Sequence, residues 1–600
     1  MKQPIKDITI TDIEQIHFNI GTFAKSLSVA CMVWLLCICA VPVQHSWGDI
    51  DIILGYTIAV VAIIGTIACF LSKGRMRISV MDGLVVILYG YFIIRYYADA
   101  TYPAESIVIH AGLAIMLYFS FRILFTAIRP KGNVVALIIL MFATYETFYG
   151  IIQLITGTSR HSLYLLTGSF NNPGPYSACI VMGLAIAFTY MKYPELAGFC
   201  NMSGKLEAAA SVVMQSLVII FISITILTTS RTAFIAAALC LTFVFSDRIR
   251  NRKWTILGIC IAISVGLYFF KPGSANGRFA INCIGLFAVA DNPLFGCGVG
   301  GFFNKFAEST ELLASYGTTI DLNTVDVIEY AFNNWLRITV ELGIVGLTIA
   351  AAIVIVALRK LWKDSLPLFL VLLVILVFSF LSYPMELLPY KIITIMVISY
   401  VASQSVRTRP IPDNRLVSNL IMTIIAIVII GCSVKSDRLV NTLANAEKDY
   451  SIIRGINDPA FIKDYAQLLP MLKENGDFLS DYARILAKAN RYNDSNDILR
   501  MGTLISNNPM FLILQGNNYL EMEAYEDAEQ LYLKAWHTMP NRIYPLYKLM
   551  KLHERLGNSD KTLPYAEQIV RFKGKVESLA IREIKSEANA VLSNNKDKIN

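Results

Sequence analysis

Apolar residues in this chain come in long blocks rather than in the three-and-four spacing of a soluble helix. Charge-free runs fill 52–72, 208–229, 254–270, 366–382 and 416–434, and interrupted apolar runs lie near 27–43, 79–97, 107–126, 134–155, 176–194, 232–246, 335–358 and 389–403. A bilayer core takes about 20 mainly apolar residues per helix, so the blocks predict about thirteen membrane-spanning helices. Short ones such as 232–246 are open to being half-spans. Past residue 434 the pattern changes: charged residues rise from roughly one in eight to roughly one in four, near the soluble norm. The expected fold is therefore all-α, a polytopic membrane helix bundle over 1–434 followed by a soluble helical domain over 435–600. Residues 1–22 carry acids and no apolar core, so no cleavable leader is expected there.

Composition agrees and removes one alternative. Apolar residues make up 55% and charged residues 16%, and mean hydropathy is +0.54. Ordinary soluble proteins carry ~45–50% and ~25%, so a chain of several soluble domains is excluded. The net charge of +8 does not call for nucleic acid, because the excess sits in short loops between apolar runs. One set of alternate loops holds Lys2, Lys6 and Lys25; Lys73, Arg75 and Arg77; Arg129 and Lys131; Lys192 and Lys205. It continues with Arg248, Arg250, Arg252 and Lys253; Arg359, Lys360 and Lys363; Arg407, Arg409 and Arg415. The other set, 44–51, 98–106, 156–175, 230–231 and 383–388, is nearly free of them. Basic loops stay cytoplasmic, which predicts a cytoplasmic N-terminus and a C-terminal domain on the outer side. Most of the 11 cysteines, among them Cys31, Cys37, Cys39, Cys69, Cys240, Cys260 and Cys432, lie in apolar runs and read as small hydrophobes. No Cys/His spacing for zinc occurs, and no metal or cofactor is expected. Cys283 and Cys297 fall on the predicted outer side, where a disulfide is permitted.

Two outer segments are longer than turns. The first, 271–334, contains the Gly-rich stretch 292–303 (NPLFGCGVGGFF). No strand–turn–helix unit surrounds it, so a tight turn that lets backbones approach is preferred to a phosphate cradle. The second is the tail. From Pro509, the residues Gly516, Tyr519, Ala528, Tyr532, Ala535 and Pro540 fall where a 34-residue tetratricopeptide repeat places its small, aromatic and helix-ending positions. More degenerate units lie at 475–507 and 544–570. A small helical solenoid is expected, and solenoids of this kind serve as docking surfaces. The competing description is a generic helical bundle.

Candidate chemistry sits where polar groups meet the membrane edge, because each is costly there without a partner or a task. Arg231 follows the uncharged run 208–230 at a helix start, with Ser230 and two threonines beside it. A helix N-terminus plus a guanidinium suits phosphate, and a lipid-facing snorkelling arginine is the plain alternative. Arg278 is a second outer arginine, just before the Gly-rich turn. Further on, Asn333, Arg337 and Glu341 recur at i, i+4, i+8, one face of a helix; a structural Arg–Glu pair is the alternative there.

These residues resemble motifs of the O-antigen ligase/polymerase superfamily, which includes lipopolysaccharide O-antigen ligases and bacterial protein O-oligosaccharyltransferases. The motifs are, in order, 150–154 (GIIQL), 168–173 (GSFNNP), 230–233 (SRTA), Gly277-Arg278, 292–296 (NPLFG) with Gly298, and 333–346. The resemblance covers about 140–360 and implies an inner-membrane enzyme. Its donor would be an undecaprenyl-diphosphate-linked glycan, moved by inverting, metal-independent transfer to an acceptor hydroxyl on lipid A-core or protein Ser/Thr. It places Arg231 and Arg278 on the diphosphate, with Asn333, Glu341 and Glu329 as further catalytic candidates. Ser230, Arg337, His161, Asn171, Asn172 and Gly298 are the substrate-binding candidates. Many relatives carry His before the Asn of the last of these motifs, at the end of the large loop, where this chain has Phe332. The general base is therefore open among His161, Asp326, Glu329 and Glu341. A polymerase joining lipid-linked repeats is the near alternative, and a polysaccharide transporter or flippase the alternative of another class. A periplasmic protein partner bound through 475–600 is a further expectation.

Overall fold

The computed structural model describes residues 26–38, 49–71, 77–99, 101–159, 161, 164–170, 172–198, 204–245, 258–259, 262, 266, 272–404, 415–456, 458–574 and 578–599. Among these every regular element is a helix. Eight described helices are long and apolar enough to cross a membrane, and four shorter apolar helices, Ser26–Ile38, Arg231–Val244, Leu366–Leu381 and Leu388–Ser403, accompany them. Each corresponds to one of the apolar blocks read from the sequence. The remaining block, 254–270, falls largely outside the described residues.

In chain order the helices are α1 (Ser26–Ile38), α2 (Asp49–Leu71), α3 (Val80–Ala98), α4 (Glu105–Ile128), α5 (Gly132–Thr156), α6 (Pro173–Lys192), the one-turn α7 (Pro194–Ala197), α8 (Gly204–Thr228) and α9 (Arg231–Val244). They continue with α10 (Pro272–Asp291), α11 (Phe302–Tyr316), α12 (Asn334–Asp364), α13 (Leu366–Leu381), α14 (Leu388–Ser403) and α15 (Arg415–Ile453). The tail adds α16 (Ile462–Leu472), α17 (Gly476–Lys488), α18 (Tyr492–Ile505), α19 (Met510–Glu521), α20 (Tyr525–Thr538), α21 (Tyr544–Arg555), α22 (Ser559–Arg571) and α23 (Leu579–Ile599). The helices sort into two compact units. The first is Met1–Tyr91, Val108–Phe270 and Thr348–Asn441; the second is Phe92–Ile107, Lys271–Leu347 and Thr442–Asn600.

The first unit is built around α6, which packs against α5, α8, α9 and α13. Every residue of α6 from Pro175 to Ala187 is buried, as a helix apolar on all sides requires. Small residues let its neighbours close in. A Cβ added at Gly183 would stand 2.7 Å from the Phe221 ring of α8 and 2.8 Å from Ala143 Cβ of α5. In this apolar setting a buried ion pair needs full satisfaction, and one pair has it. The Asp82 carboxylate accepts from Arg122 Nε at 2.9 Å, Tyr118 Oη at 2.6 Å and the Ser79 N–H at 2.7 Å.

The second unit joins the large loop to the tail. The tail helices pack each on the next from α17 to α23. At the best-matching repeat, a Cβ on Gly516 of α19 would stand 2.5 Å from the Tyr532 ring of α20. Ala528 is fully buried there, and Tyr532 Oη donates to Asn517 Oδ1 at 2.8 Å. The large loop is folded, not slack: α10 and α11 pack together, and α11 packs on α18 and α20 of the tail. The expected boundary at 434 falls inside the continuous helix α15.

Candidate functional site

The candidate residues form two groups, one within each unit. In the first unit, α8 ends at Thr228 and α9 starts at Arg231. Only Thr229, at φ 50, and Ser230 separate them, so the two helices are joined by a two-residue link. The Ser230 carbonyl accepts from Ala233 and Phe234 N–H at 3.1 and 3.2 Å, which starts α9, while its hydroxyl makes no bond to the helix amides. Arg231 is half-buried at the first helical position. Guanidinium and the positive end of a helix thus share one corner, an arrangement suited to a phosphate oxyanion.

The loop before α6 belongs to the same unit and is held by two side chains of α5. Gln153 Nε2 donates to the Gly168 carbonyl at 2.8 Å, and Gln153 Oε1 accepts from the Thr167 and Gly168 amides at 3.2 and 2.8 Å. Glu146 accepts from the Ser169 amide at 2.9 Å and from its hydroxyl at 2.7 Å. Gly168 sits at φ 58, and a Cβ there would stand 2.4 Å from the Tyr176 ring. Asn172 caps α6, its Oδ1 accepting from the Gly174 amide at 2.8 Å. Asn171 lies outside the described residues. His161 lies against Tyr164, ring centres 4.8 Å apart.

In the second unit the Gly-rich turn and α12 brace each other through their backbones. The helix is broken at Gly343, which takes φ 66, ψ −171, a region open in practice to glycine alone. The Cys297 and Gly298 amides donate to the Val340 and Glu341 carbonyls at 2.8 and 3.1 Å. The Ile344 and Val345 amides donate to the Pro293 and Leu294 carbonyls at 2.9 and 3.2 Å. Those are helix groups orphaned by the break. Gly298, at φ 101, therefore spends its amide on α12, and the turn is a close-approach device as the sequence suggested. Arg95 adds a bond from Nη2 to the Gly296 carbonyl at 3.2 Å.

Arg278 lies on α10, its guanidinium 5.7 Å from the centre of the Phe332 ring, a cation–π distance. Phe332 takes the left-handed backbone at φ 51, unusual for a bulky residue. Asn333 follows immediately. Its Oδ1 accepts from the Leu336 amide at 3.1 Å, capping α12, and its Nδ2 donates to Asn282 Oδ1 at 2.8 Å. Asn282 in turn donates to the Arg278 carbonyl at 2.8 Å, so Asn333 is tied to the turn of α10 that carries Arg278. Arg337 and Glu341 pair at 3.0 Å with little exposure, and the Arg337 guanidinium lies 5.8 Å from the Phe303 ring centre. Of the acids proposed as base, Glu341 is thus held by Arg337 and Asp326 by Arg542. Glu329 is exposed.

Several residues in these groups were given no role in the sequence reading, although Gln153 lies in the 150–154 motif. Glu146 and Gln153 stand seven apart on α5, two turns on one face, and that spacing was the available signal. Asn282 stands four residues after Arg278, again one face of a helix. Arg95 was legible only as a charge near the end of an apolar block. Its bond to Gly296 joins residues 201 apart in sequence, beyond what spacing conveys. Cys283 and Cys297 are both free thiols. Burial first, then the neighbouring Glu341 charge, pushes the Cys297 thiol up to about 12, so it is inert at neutral pH.

Compared with known families, residues 216–351 match the model described as O-antigen ligase. The matched stretch contains Ser230, Arg231, Arg278, Gly298, Glu329, Asn333, Arg337 and Glu341; His161, Asn171 and Asn172 precede it. No curated protein matches the chain.

Proposed function

We propose, on the match of residues 216–351 to the O-antigen ligase model, that the chain belongs to that superfamily and moves a glycan from an undecaprenyl-diphosphate carrier to an acceptor hydroxyl. The family and the apolar helices make it a multi-pass membrane enzyme of the ligase/polymerase type acting on lipid-linked glycan. The finer reading is a ligase of the bacterial inner membrane, working on its periplasmic side, with lipid A-core or protein Ser/Thr as acceptor. The observation that supports a diphosphate-linked donor is that the family stretch contains two arginines at fixed points, Arg231 at a helix start and Arg278 against the Phe332 ring.

In the proposed step the acceptor oxygen attacks the sugar C1 from the face opposite the diphosphate. The C1–O bond breaks, its electron pair passes to the departing phosphate oxygen, and the hydroxyl proton passes to a base. Configuration at C1 inverts. Arg231 and Arg278 are assigned to the diphosphate, whose negative charge grows as the bond breaks. Arginine suits this task because its planar fork binds two oxygens and stays charged where water is scarce. Glu329 is assigned the proton, since its exposure leaves it accessible while Glu341 and Asp326 hold cations. Asn333 and the Arg337–Glu341 pair are assigned to keeping Arg278 and the helix break in place.

The test is turnover of lipid-linked glycan in purified membranes, with lipid A-core, a Ser/Thr protein and a second lipid-linked repeat as separate acceptors. Arg231→Ala and Arg278→Ala are expected to express normally and lose ~10²–10³ in rate, the usual loss of one group acting on transition-state charge. Arg231→Lys is expected to recover little. Normal turnover by both alanine variants refutes the assignment, and transfer only to a second repeat makes the enzyme a polymerase.

A further inference from the structure

We infer that Asn507, in the tail, is a positioning residue for the transfer step, an inference that rests on the function proposed above. The strip 325–328 runs directly into Glu329 and the Phe332–Asn333 turn, and it has no regular secondary structure of its own. Its backbone groups are met by side chains of the tail. The Ile328 amide donates to Asn507 Oδ1 at 3.1 Å, and Asn507 Nδ2 donates to the Asp326 carbonyl at 3.3 Å. One amide side chain thus grips residue 326 and residue 328 together, as a neighbouring β-strand does, and so fixes the register of the strip. Asn541 Nδ2 donates to the Val325 carbonyl at 2.6 Å, and Arg542 pairs with the Asp326 carboxylate. Asn507 is only 2% exposed, so water cannot substitute for either bond.

A second grip comes from the turn after α16. Glu474 accepts from the backbone and hydroxyl of Ser106, and Lys473 pairs with Glu105. These residues close the segment 92–107, whose Arg95 reaches the Gly296 carbonyl in the turn that braces α12. The tail therefore holds the stretch bearing Glu329, Phe332 and Asn333 at one end and the Gly-rich turn at the other. Phe332 covers Arg278, and Asn333 is tied to α10 through Asn282. A shift of the strip is transmitted to the arginine through these contacts. Reactions of this kind lose roughly 100-fold for about 1 Å of misplacement. The tail then acts on the rate of the chemistry, for every acceptor, besides any role in presenting one.

The test measures the full-length protein in membranes and in nanodiscs. Asn507→Asp keeps size but sets an oxygen against the Asp326 carbonyl; Asn541→Ala removes the milder neighbouring bond and covers the case in which Asn507→Asp fails to fold. Transfer is followed with glycerol as a small acceptor and lipopolysaccharide core as a large one, and amide exchange is read over 325–336. Expected are a fall in kcat of roughly 10- to 100-fold with Asn507→Asp and a smaller fall with Asn541→Ala. The fall should be equal for both acceptors, with KM for the lipid-linked donor unchanged and faster exchange confined to the strip and the start of α12. A loss seen only with the large acceptor makes the tail a docking arm and overturns the inference. So does faster exchange with kcat unchanged, or unchanged exchange over the strip. If Arg231→Ala and Arg278→Ala both match wild type in the same assay, the diphosphate assignment proposed above fails instead, and the exchange data still decide whether Asn507 holds the strip.

Discussion

Gly343→Ala is the most demanding test of the brace between the Gly-rich turn and α12. A Cβ at this position would stand 2.2 Å from the Leu294 oxygen, 2.4 Å from its carbon and 2.5 Å from the Phe295 nitrogen. All three are backbone atoms, so no side chain can swing aside. The backbone region itself costs a non-glycine residue about 1–3 kcal/mol. Relieving the clash pulls the turn away and breaks the bonds from the Ile344 and Val345 amides, at about 0.5–1.5 kcal/mol each. The local penalty is about 2–6 kcal/mol, or roughly 30- to 10⁴-fold in opening of the brace. Amide exchange at Cys297, Gly298, Ile344 and Val345 reads it directly. Gly157→Ala is the control, because Gly157 has φ 68 with nothing near its absent Cβ and carries only the backbone cost, about 1–2 kcal/mol. If Gly343→Ala opens no more than Gly157→Ala and transfer continues at the wild-type rate, the brace reasoning is wrong.

Two further outcomes are expected in the tail. Ala528→Trp overpacks the α19–α20 contact at a cost of about 1–3 kcal/mol or more, seen as a lower thermal midpoint of the full-length protein; an unchanged midpoint refutes the packing described. Burial first, then the facing Glu105 carboxyl, pushes the Glu474 carboxyl up to about 7, partly opposed by the Ser106 donors; the Lys473 cation and the neutral Tyr96 phenol complete its titratable surroundings. A raised carboxyl favours the folded state when protonated, so stability should be greatest below about pH 4.5, fall as pH rises to about 7, and level off beyond. Glu474→Gln should flatten that window in thermal scans, and an unaltered slope assigns the dependence elsewhere.

The spans were legible because bilayer thickness dictates block length, and α6 shows how far that goes: its apolar block predicts a helix, and its all-round apolarity agrees with its central place. The ion pair of Arg122 and Asp82 was not legible, since both residues sit within or beside apolar blocks and their meeting depends on which helices pack. In the candidate site the glycines at 296, 298 and 343 carried their own signal, and the reading of 292–303 as a close-approach turn holds because Gly298 spends its amide on α12. The i, i+4 spacing of Arg337 and Glu341 left a structural pair as the alternative to a role in the chemistry, and the two side chains do pair. Asn333 was read as a catalytic candidate on the face of a helix, whereas it stands at the helix start and is occupied with capping and with Asn282. The contribution of Asn507 could not be read in advance, because a lone amide between helices looks the same whether it faces water or another segment.

The loop's dependence on the tail also sets an order of events in biosynthesis. The bonds from Asn507 to the strip 326–328 join residues 179 and 181 apart in sequence, and Lys473 reaches back 368 residues to Glu105. At ribosomal rates of ~5–20 residues/s, the strip waits roughly 10–40 s after synthesis for Asn507 to be made. During that wait α13, α14 and the apolar part of α15 must enter the bilayer. The amides and carbonyls of 325–328 have no tail partner throughout, and α11 awaits α18 and α20, the tail helices it packs on. A nascent chain arrested before residue 507 would therefore hold its membrane helices and lack its site. Chaperones on the side where the tail emerges would meet this protein first through its large loop.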